Sequence, residues 1–597
     1  MADAVRRFAG ANVKDYGGIG GLKTVSVRNM GAAHTAVSYD GVVVSNCQAG
    51  QIDIGRFSLD NVSVLSLNIG QPEDLLQSAR MYASAGVLSI ETEKPHFENE
   101  RNSAFRVQMR GGSFGYVSPS IRWWQKAGSR TSFSLNGNYM RADGNYPFTL
   151  VNGKYVTEEK RNNSAIYTYQ IEPTLFHTFK DSSNLELKAY YFYSKRGLPG
   201  SVTLYNPISD ETLWDENVFI QTRYKKDFSQ KWSLQAQAKY NHGWNKYEDK
   251  GNEYADGLYR AVHRQDEYYL SATALYRPWN VLSLSLAQDG IINKLRSNLP
   301  DCSFPIRYTS LTAFNARYRQ GRITATGSLV YTNVTEHVKI GDAPADFQRL
   351  APSFTVSLQP WQEQLLFLRL MYKSTFRMPT FNDLYYYRLG NRSLRPEKAN
   401  EYNMGITWSR SFSSFLNYLS VTVDGYYNDV TDKIVAFPTT YAWKMANYGK
   451  VHVTGMDATL AAAASLGKNM VLVVSGGYTW QKAIDLTDAT SKSYKDQLPY
   501  TPKHSGNVSA VLEMPWVNVG YSIVGVSERY SMSQNIPENR IDGYMEHTVS
   551  LSRNFSFRHC KLRLQAEIIN LTDTQYDVIK YYPMPGRSWR LTGTIEF

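Results

Sequence analysis

The sequence has little cysteine and no long apolar run, and each shortage excludes something. Three cysteines, Cys47, Cys302 and Cys560, are scattered over 597 residues. They are too few and too dispersed for a disulfide framework or a zinc site, so at most one bridge could form. No stretch approaches the roughly 18 apolar residues that a membrane-spanning helix needs, which excludes a helical membrane protein. The opening "MADAVRRFAGANVKDYGG" has no basic segment followed by an apolar one and cannot serve as a secretory signal. Charge of one sign is not concentrated either. The 65 Lys+Arg against 53 Asp+Glu give +12, yet they form no basic stripe or arm. A nucleic-acid partner is therefore excluded, and the excess reads as solvated faces and attraction to an anionic membrane surface or ligand.

What the chain has is tyrosine and alternation. Aromatics make up 13%, with 43 Tyr against 25 Phe and 12 Trp, a bias that suits side chains with one apolar and one wet end. From about residue 100 onward, segments of about ten residues alternate apolar and polar with period two, separated by polar or Gly/Pro-rich turns. "LELKAYYFYSK" places Leu185, Leu187, Ala189, Tyr191 and Tyr193 on one side. "SLQAQAKYNHGW" opposes Leu234, Ala236, Ala238 and Tyr240 to Gln235, Gln237, Lys239 and Asn241. No convincing amphipathic helix interrupts this pattern, which argues against an α/β enzyme.

Two all-β solutions fit such a pattern. Tandem sandwiches or propellers would have aliphatic cores, polar outer faces and linkers every hundred or so residues, and no such linkers are visible. A membrane barrel turns an apolar, aromatic face to lipid and a polar face to its lumen, which is what these segments offer. About 500 residues divided among about 22 strands leaves roughly 23 per strand and connection, enough for spans of about ten residues with uneven loops. The chain ends "SWRLTGTIEF", with Trp589, Leu591, Ile595 and Phe597 on one face of a strand that stays two-faced to its last residue. That strand is predicted to close the barrel against the first one, its apolar face toward lipid. The ending is similar to the C-terminal insertion signal of bacterial outer-membrane proteins.

Residues 1–96 read differently, as a Gly-rich compact domain with short apolar strands such as "TVSVR", "HTAVSYDGVVV", "VSVLSLNIG" and "AGVLSIETEK". "GGIGG" matches neither dinucleotide-loop nor P-loop spacing and reads as a turn before a strand over Thr24–Arg28. The stretch "FAGANVKDYGGIGGLKTVSVRNMGAAHTAVSYDGV", with its Asp40-Gly41 hairpin, resembles the plug of TonB-dependent outer-membrane transporters. "FRMPTFNDLYYYRLGNRSLRPEKANEYNMGI" and "INLTDTQYDVIKYYPMPGRSWRLTGTIEF" resemble two barrel stretches of the same family, with Thr572 where Phe is usual. The resemblance implies an all-β membrane protein, a 22-stranded antiparallel transmembrane β-barrel (97–597) occluded by an N-terminal α+β plug (1–96). It also implies a bacterial outer-membrane location, no bond chemistry and no cofactor. The energy source would be the TonB-ExbB-ExbD complex, acting through a segment upstream of the plug. This chain begins after that point and is expected to be a truncated or mis-started reading of a longer precursor. Rival classes are a passive porin or adhesin, against which the plug argues, and an outer-membrane hydrolase, for which no catalytic constellation stands out.

Family plugs carry two arginines that face two barrel glutamates. In this sequence the first arginine is matched by Arg28 and the second by Ile69; the glutamates are matched by Asn403 and Asp457. One cation and one anion are missing together, which costs less than losing either alone, so the resemblance predicts a reduced lock in which Arg28 pairs with Asp457. The cargo would be a small molecule. Haem is disfavoured because "TFNDLYYYRLG" lacks the histidine that would serve as axial ligand. Cobalamin is favoured over a ferric siderophore by the wording of "FRMPTFNDLYY" and "PMPGR", which looks like cobalamin receptors of the Bacteroidetes type, and a surface lipoprotein is a further candidate partner. No metal-ligand set is identifiable. The loop after the Asp-Gly hairpin, "VVVSNCQAGQIDIGRF", is the expected plug contact with cargo. Ser45, Asn46 and Gln48 supply donors and acceptors, Ala49 and Gly50 allow close backbone approach, and Cys47 is either a soft contact or a small packing residue.

Overall fold

The computed structural model describes residues 1–72, 74–97, 101–202, 209–251, 254, 256–300, 302–386, 389–413, 415–438, 443–467 and 469–597, without the side chains at 152, 436–438, 443, 444 and 448. Twenty-two antiparallel strands close into one barrel, from Ser103–Gly112 to Ser588–Glu596. The last strand pairs with the first from Arg590↔Gly112 to Glu596↔Arg106, so the chain end closes the ring as the alternation predicts.

Each strand is sorted by its alternation. On Trp232–Asp249 the side chains of Gln235, Gln237, Lys239 and Asn241 are buried toward the lumen, while Tyr240 is exposed on the outer wall. The two rims differ. On the rim that holds the C-terminus the longest connection is 359–364, whereas the opposite rim carries spans such as 143–165, 378–396 and 570–587. Short turns mark the periplasmic side of an outer-membrane barrel and long loops the extracellular side.

The lumen is filled by the N-terminal residues. A hairpin of β1 (Ala11–Asp15) and β2 (Lys23–Val27) precedes a mixed sheet built from β3 (Thr35–Tyr39), β4 (Val42–Val44), β5 (Val62–Ile69) and β6 (Gly86–Thr92), in spatial order β4-β3-β6-β5. Two short helices, α1 (Ala2–Val5) and α2 (Ala79–Ala83), complete the plug. β2 stops one residue short of the expected Arg28, because Arg28 and Asn29 turn into the left-handed region at φ 47° and 53°. This turn carries the Arg28 side chain away from the hairpin and toward the wall. The β3–β4 turn is Asp40-Gly41, both at positive φ (49° and 79°), as a two-residue turn between twisted strands requires.

A plug of this size cannot bury a large core by itself, and the wall completes it. Val37, Tyr39, Val44, Ile54, Phe57, Leu88 and Ile90 pack with Tyr190, Phe192 and Phe219 of the barrel in one buried cluster. Tyr190 and Phe219 stack at 4.6 Å, and Tyr39 meets Phe57 at 5.3 Å. Side chains of this kind bury ~150–250 Å² each, so plug and barrel share their most apolar contact. The division expected at 96/97 falls between β6 and Ser103, beside residues 98–100, which lie outside the described set.

Candidate functional site

The sequence-selected loop leaves β4 at Val44 and turns at the end of the plug nearest the long connections. Asn46 holds it shut: its Oδ1 accepts from the Ala49 amide at 3.0 Å and its carbonyl from the Gly50 amide at 2.8 Å. The remaining polar groups engage the wall. Ser45 Oγ donates to Glu267, Cys47 Sγ donates to Gln265 Oε1 at 3.2 Å, and Asn245 Nδ2 donates to Gln48 Oε1 at 2.8 Å. Gln48 is buried. Burial pushes the Cys47 thiol up, so it stays protonated at neutral pH. Ser45, Asn46, Cys47, Gln48 and Ala49 are thus brought together, with their side chains directed at the wall and at the loop itself rather than at open solvent.

A lid sits on this apex. In connection 378–396, α3 (Phe381–Tyr385) starts with a capping box: Thr380 Oγ1 accepts from the Asp383 amide at 3.1 Å, and Asp383 Oδ2 accepts from the Thr380 amide at 2.8 Å. The Phe381 and Asn382 amides, free of intrahelical partners at a helix start, donate to the carbonyls of Cys47 (3.1 Å) and Gln48 (2.9 Å). The same lid is tied to the plug by side chains. Arg377 bridges Asp383 and Glu397 at 2.5 Å each, and Glu397 Oε2 lies 2.7 Å from Nε2 of the plug residue His34. Burial pushes the His34 imidazole below its ordinary value against the pull of Glu397; the neutral ring donates its Nε2–H to the carboxylate. Tyr387 and Arg388 of the histidine-free stretch "TFNDLYYYRLG" lie outside the described residues.

Below the apex the plug is held by buried ion pairs. Arg28 Nε donates to Asp457 Oδ2 at 3.0 Å, with both side chains nearly inaccessible. The guanidinium also lies 4.0 Å from the Tyr426 ring. Thr479 completes the site, donating to Asp457 Oδ1 at 2.9 Å and accepting from the Gly10 amide at 2.8 Å. Gly10 has φ +77° and packs so tightly that a Cβ there would lie 2.8 Å from Asp457 Oδ2.

A second anchor has the opposite polarity. Lys188 of the barrel reaches Asp40 Oδ2 at 2.6 Å and Glu172 Oε1 at 2.5 Å. Tyr39 donates to Glu172 at 2.6 Å, and Thr92 donates to Asp40 through its amide (2.7 Å) and hydroxyl (2.9 Å). Burial would push the Asp40 carboxyl up, but Lys188 and the Thr92 bonds outweigh it and hold the group below the usual carboxylate range.

Ile69 itself carries no charge; the plug's second cation toward the wall is Arg80, 3.3 Å from Glu267, and Lys373 of the barrel donates to the Gly70 carbonyl beside Ile69 at 2.7 Å and to the Ser84 carbonyl at 2.6 Å. Its cross-strand partner is Glu401, buried two residues before Asn403. Sequence reasoning missed Lys188, Glu172, Lys373, Glu401 and the His34–Glu397 contact. The signal available was a charged residue in a lumen-facing register, as Lys188 is between Leu187 and Ala189. Barrel residue Asp289 was missed as well: it accepts from the Ala79 and Arg80 amides at 3.2 and 2.8 Å and so caps α2 from outside the plug. Trp589, Leu591, Ile595 and Phe597 lie away from all of this, exposed on the outer wall.

A family model described as TonB dependent receptor-like, beta-barrel, matches residues 97–571. Among solved structures, the copper transporter OprC superposes with a TM-score of 0.80 at 16% identity, covering 100% of this chain and 95% of that one. The FrpB iron transporter from Neisseria meningitidis (F5-1 variant) gives 0.78 at 15% identity, covering 100% and 97%. The siderophore receptor PirA from Acinetobacter baumannii gives 0.76 at 14%, covering 100% and 96%. At these identities the likeness is one of fold.

Proposed function

The chain belongs to the TonB-dependent receptor-like β-barrel family, whose members are outer-membrane transporters rather than enzymes, and from that premise we propose that it imports a ferric chelate of the siderophore class. Cargo settles at the plug apex under the 378–396 lid, and coupling to TonB displaces the plug. The observation that carries this reading is the arrangement at the apex: a polar loop, Ser45–Ala49, closed off by backbone bonds to the N-terminus of α3. A diffusion pore has no use for such a cover. Capture of a solute too scarce for diffusion does, because the lid can close over bound cargo. Solved structures of like fold named for iron and siderophores support an iron chelate. A corrinoid is the second reading, favoured by the wording of "FRMPTFNDLYY" and "PMPGR".

Calorimetric titration of the purified barrel with ferric citrate, a ferric catecholate, a ferric hydroxamate and cyanocobalamin tests both readings. The proposal expects one ferric chelate to bind with Kd below about 1 μM, roughly −8 kcal/mol or better. Binding of cyanocobalamin alone would overturn it in favour of the corrinoid. In the Asn46→Ala/Gln48→Ala variant, which also removes the bonds that shape the loop, binding of that chelate should weaken at least tenfold, about 1.4 kcal/mol, with the barrel still folded.

A further inference from the structure

The outer wall carries a cation cluster that the import reading does not use. Along strand Tyr259–Trp279 the outward residues run from the long-loop rim as Arg260, Val262, Arg264 and Asp266, then Tyr268, Leu270, Ala272, Ala274 and Tyr276. From Tyr268 to Tyr276 is about 27 Å of strand at ~3.4 Å per residue. Tilted by ~35–45°, it spans roughly 20 Å along the membrane normal, close to the apolar band of an outer-membrane barrel with an aromatic residue at each edge. Arg264 therefore lies about 10 Å beyond the apolar edge, at headgroup depth on the extracellular side.

At that depth the wall is unbalanced. Arg264 stands directly opposite Arg296 in the register of the neighbouring strand Leu282–Ser297, and Lys294 stands opposite Asp266. Like charges directly opposed across an antiparallel pair destabilise it. The one carboxylate in the group is already engaged: Asp266 accepts from Arg296 Nη2 at 3.0 Å and Tyr240 OH at 2.9 Å and contacts His242 Nδ1 at 2.8 Å. Among the described residues, neither Arg264 nor Lys294 has a carboxylate within ion-pair distance. Lys294 lies 5.4 Å from the Tyr268 ring, at the edge of the apolar band, and the Arg296 side chain is 60% exposed.

We propose that Arg264, Lys294 and Arg296 form a binding site for the phosphate groups of an outer-leaflet glycolipid. A phosphate monoester accepts bidentate bonds from a guanidinium and would relieve the Arg264–Arg296 repulsion, while the Tyr268–Tyr276 band receives the acyl chains. Charge and depth together favour a phospholipid-like anion over a free solute, because only a lipid brings both to this face.

The test is native mass spectrometry and thermal shift of the full chain in detergent, with bisphosphoryl lipid A as the probe. Dephosphorylated lipid A and inorganic phosphate are the comparison probes. The site predicts retention of bisphosphoryl lipid A that falls at least tenfold in Arg264→Gln/Lys294→Gln. In Arg410→Gln, an exposed cation near the opposite rim, retention should be unchanged. Heat-modifiability on gels confirms that each variant is folded. Equal retention of the dephosphorylated lipid, an equal fall in Arg410→Gln, or a thermal shift reproduced by inorganic phosphate would each overturn the proposal.

Discussion

Two of the buried ion pairs that anchor the plug, Arg28–Asp457 and Lys188–Asp40, differ in polarity, and they stand half a ring apart. Lys188 lies on the fifth barrel strand, Asn184–Gly197, and Asp457 on the sixteenth, which spans 443–467, eleven steps around a ring of twenty-two. At the fifth strand the wall supplies the cation and the plug the anion, Asp40; at the sixteenth the plug supplies the cation, Arg28, and the wall the anion. Buried pairs of this kind add little net stability, because desolvation offsets most of the attraction, but they can specify register. Here they specify rotation. Turning the plug by half a turn would bring Arg28 toward Lys188 and Asp40 toward Asp457, each a buried like-charge contact. The apolar plug–wall clusters, Tyr39 and Phe57 with Tyr190 and Phe219 on one side and Met30 and Ala85 with Tyr426 and Val453 on the other, add attraction that is non-directional.

Each anchor can be removed singly. Lys188→Met leaves Asp40 and Glu172 buried together without a cation. Loss of one partner of a buried pair costs roughly 3–5 kcal/mol, so amide exchange across β3 and β4 should accelerate by about two to four orders of magnitude. Arg28→Met should cost less, because Asp457 keeps its Thr479 bond and sits beside a single lost partner; exchange at β2 reads it. If Arg28→Met proves the more damaging, the ranking of the two anchors is wrong.

Gly10→Ala disturbs the Arg28 side without removing a charge. The new methyl would press on Asp457 Oδ2 at 2.8 Å from a backbone at φ +77°, with an expected loss of about 1–3 kcal/mol. The lost protection should be confined to β1 and β2, and an unaffected exchange pattern would show that the contact can relax.

Acid should separate the two sides with the smallest effect. The His34 value is depressed in the fold, so between its folded value and ~6.5 the unfolded chain binds the extra proton and stability falls as pH drops. The Asp40 value is also depressed, so its contribution is complete above ~3.9 and is lost only as pH falls through the folded value. Taking the protein from pH 7 to pH 5 should therefore raise exchange around Ala32–Thr35 and leave Tyr39–Gly41 protected. Equal loosening of both would contradict the assignment.

The barrel was legible in the sequence because its signal is repeated: every strand restates the same two-faced alternation, and the terminal Phe597 makes sense only where an apolar surrounding continues. The Asp40-Gly41 turn was legible from local backbone preference. The anchors were harder. Arg28 and Asp457 could be named as a pair because their stretches resemble family sequences, yet Lys373 and the Arg80–Glu267 pair were invisible to that reasoning, since the match at Ile69 showed only a loss. The lid contact could not be read at all, because it runs between backbone amides of Phe381 and Asn382 and backbone carbonyls of Cys47 and Gln48, which no side-chain identity encodes.

If these oppositely polarised anchors keep the plug seated as a stopper, planar-bilayer conductance will show it. The wild-type protein should insert without opening a channel, and Arg28→Met/Lys188→Met should show large, fluctuating conductance as the plug leaves its seat. Steady conductance from the wild type, or a double variant as silent as the wild type, would show that these anchors do not seat the plug.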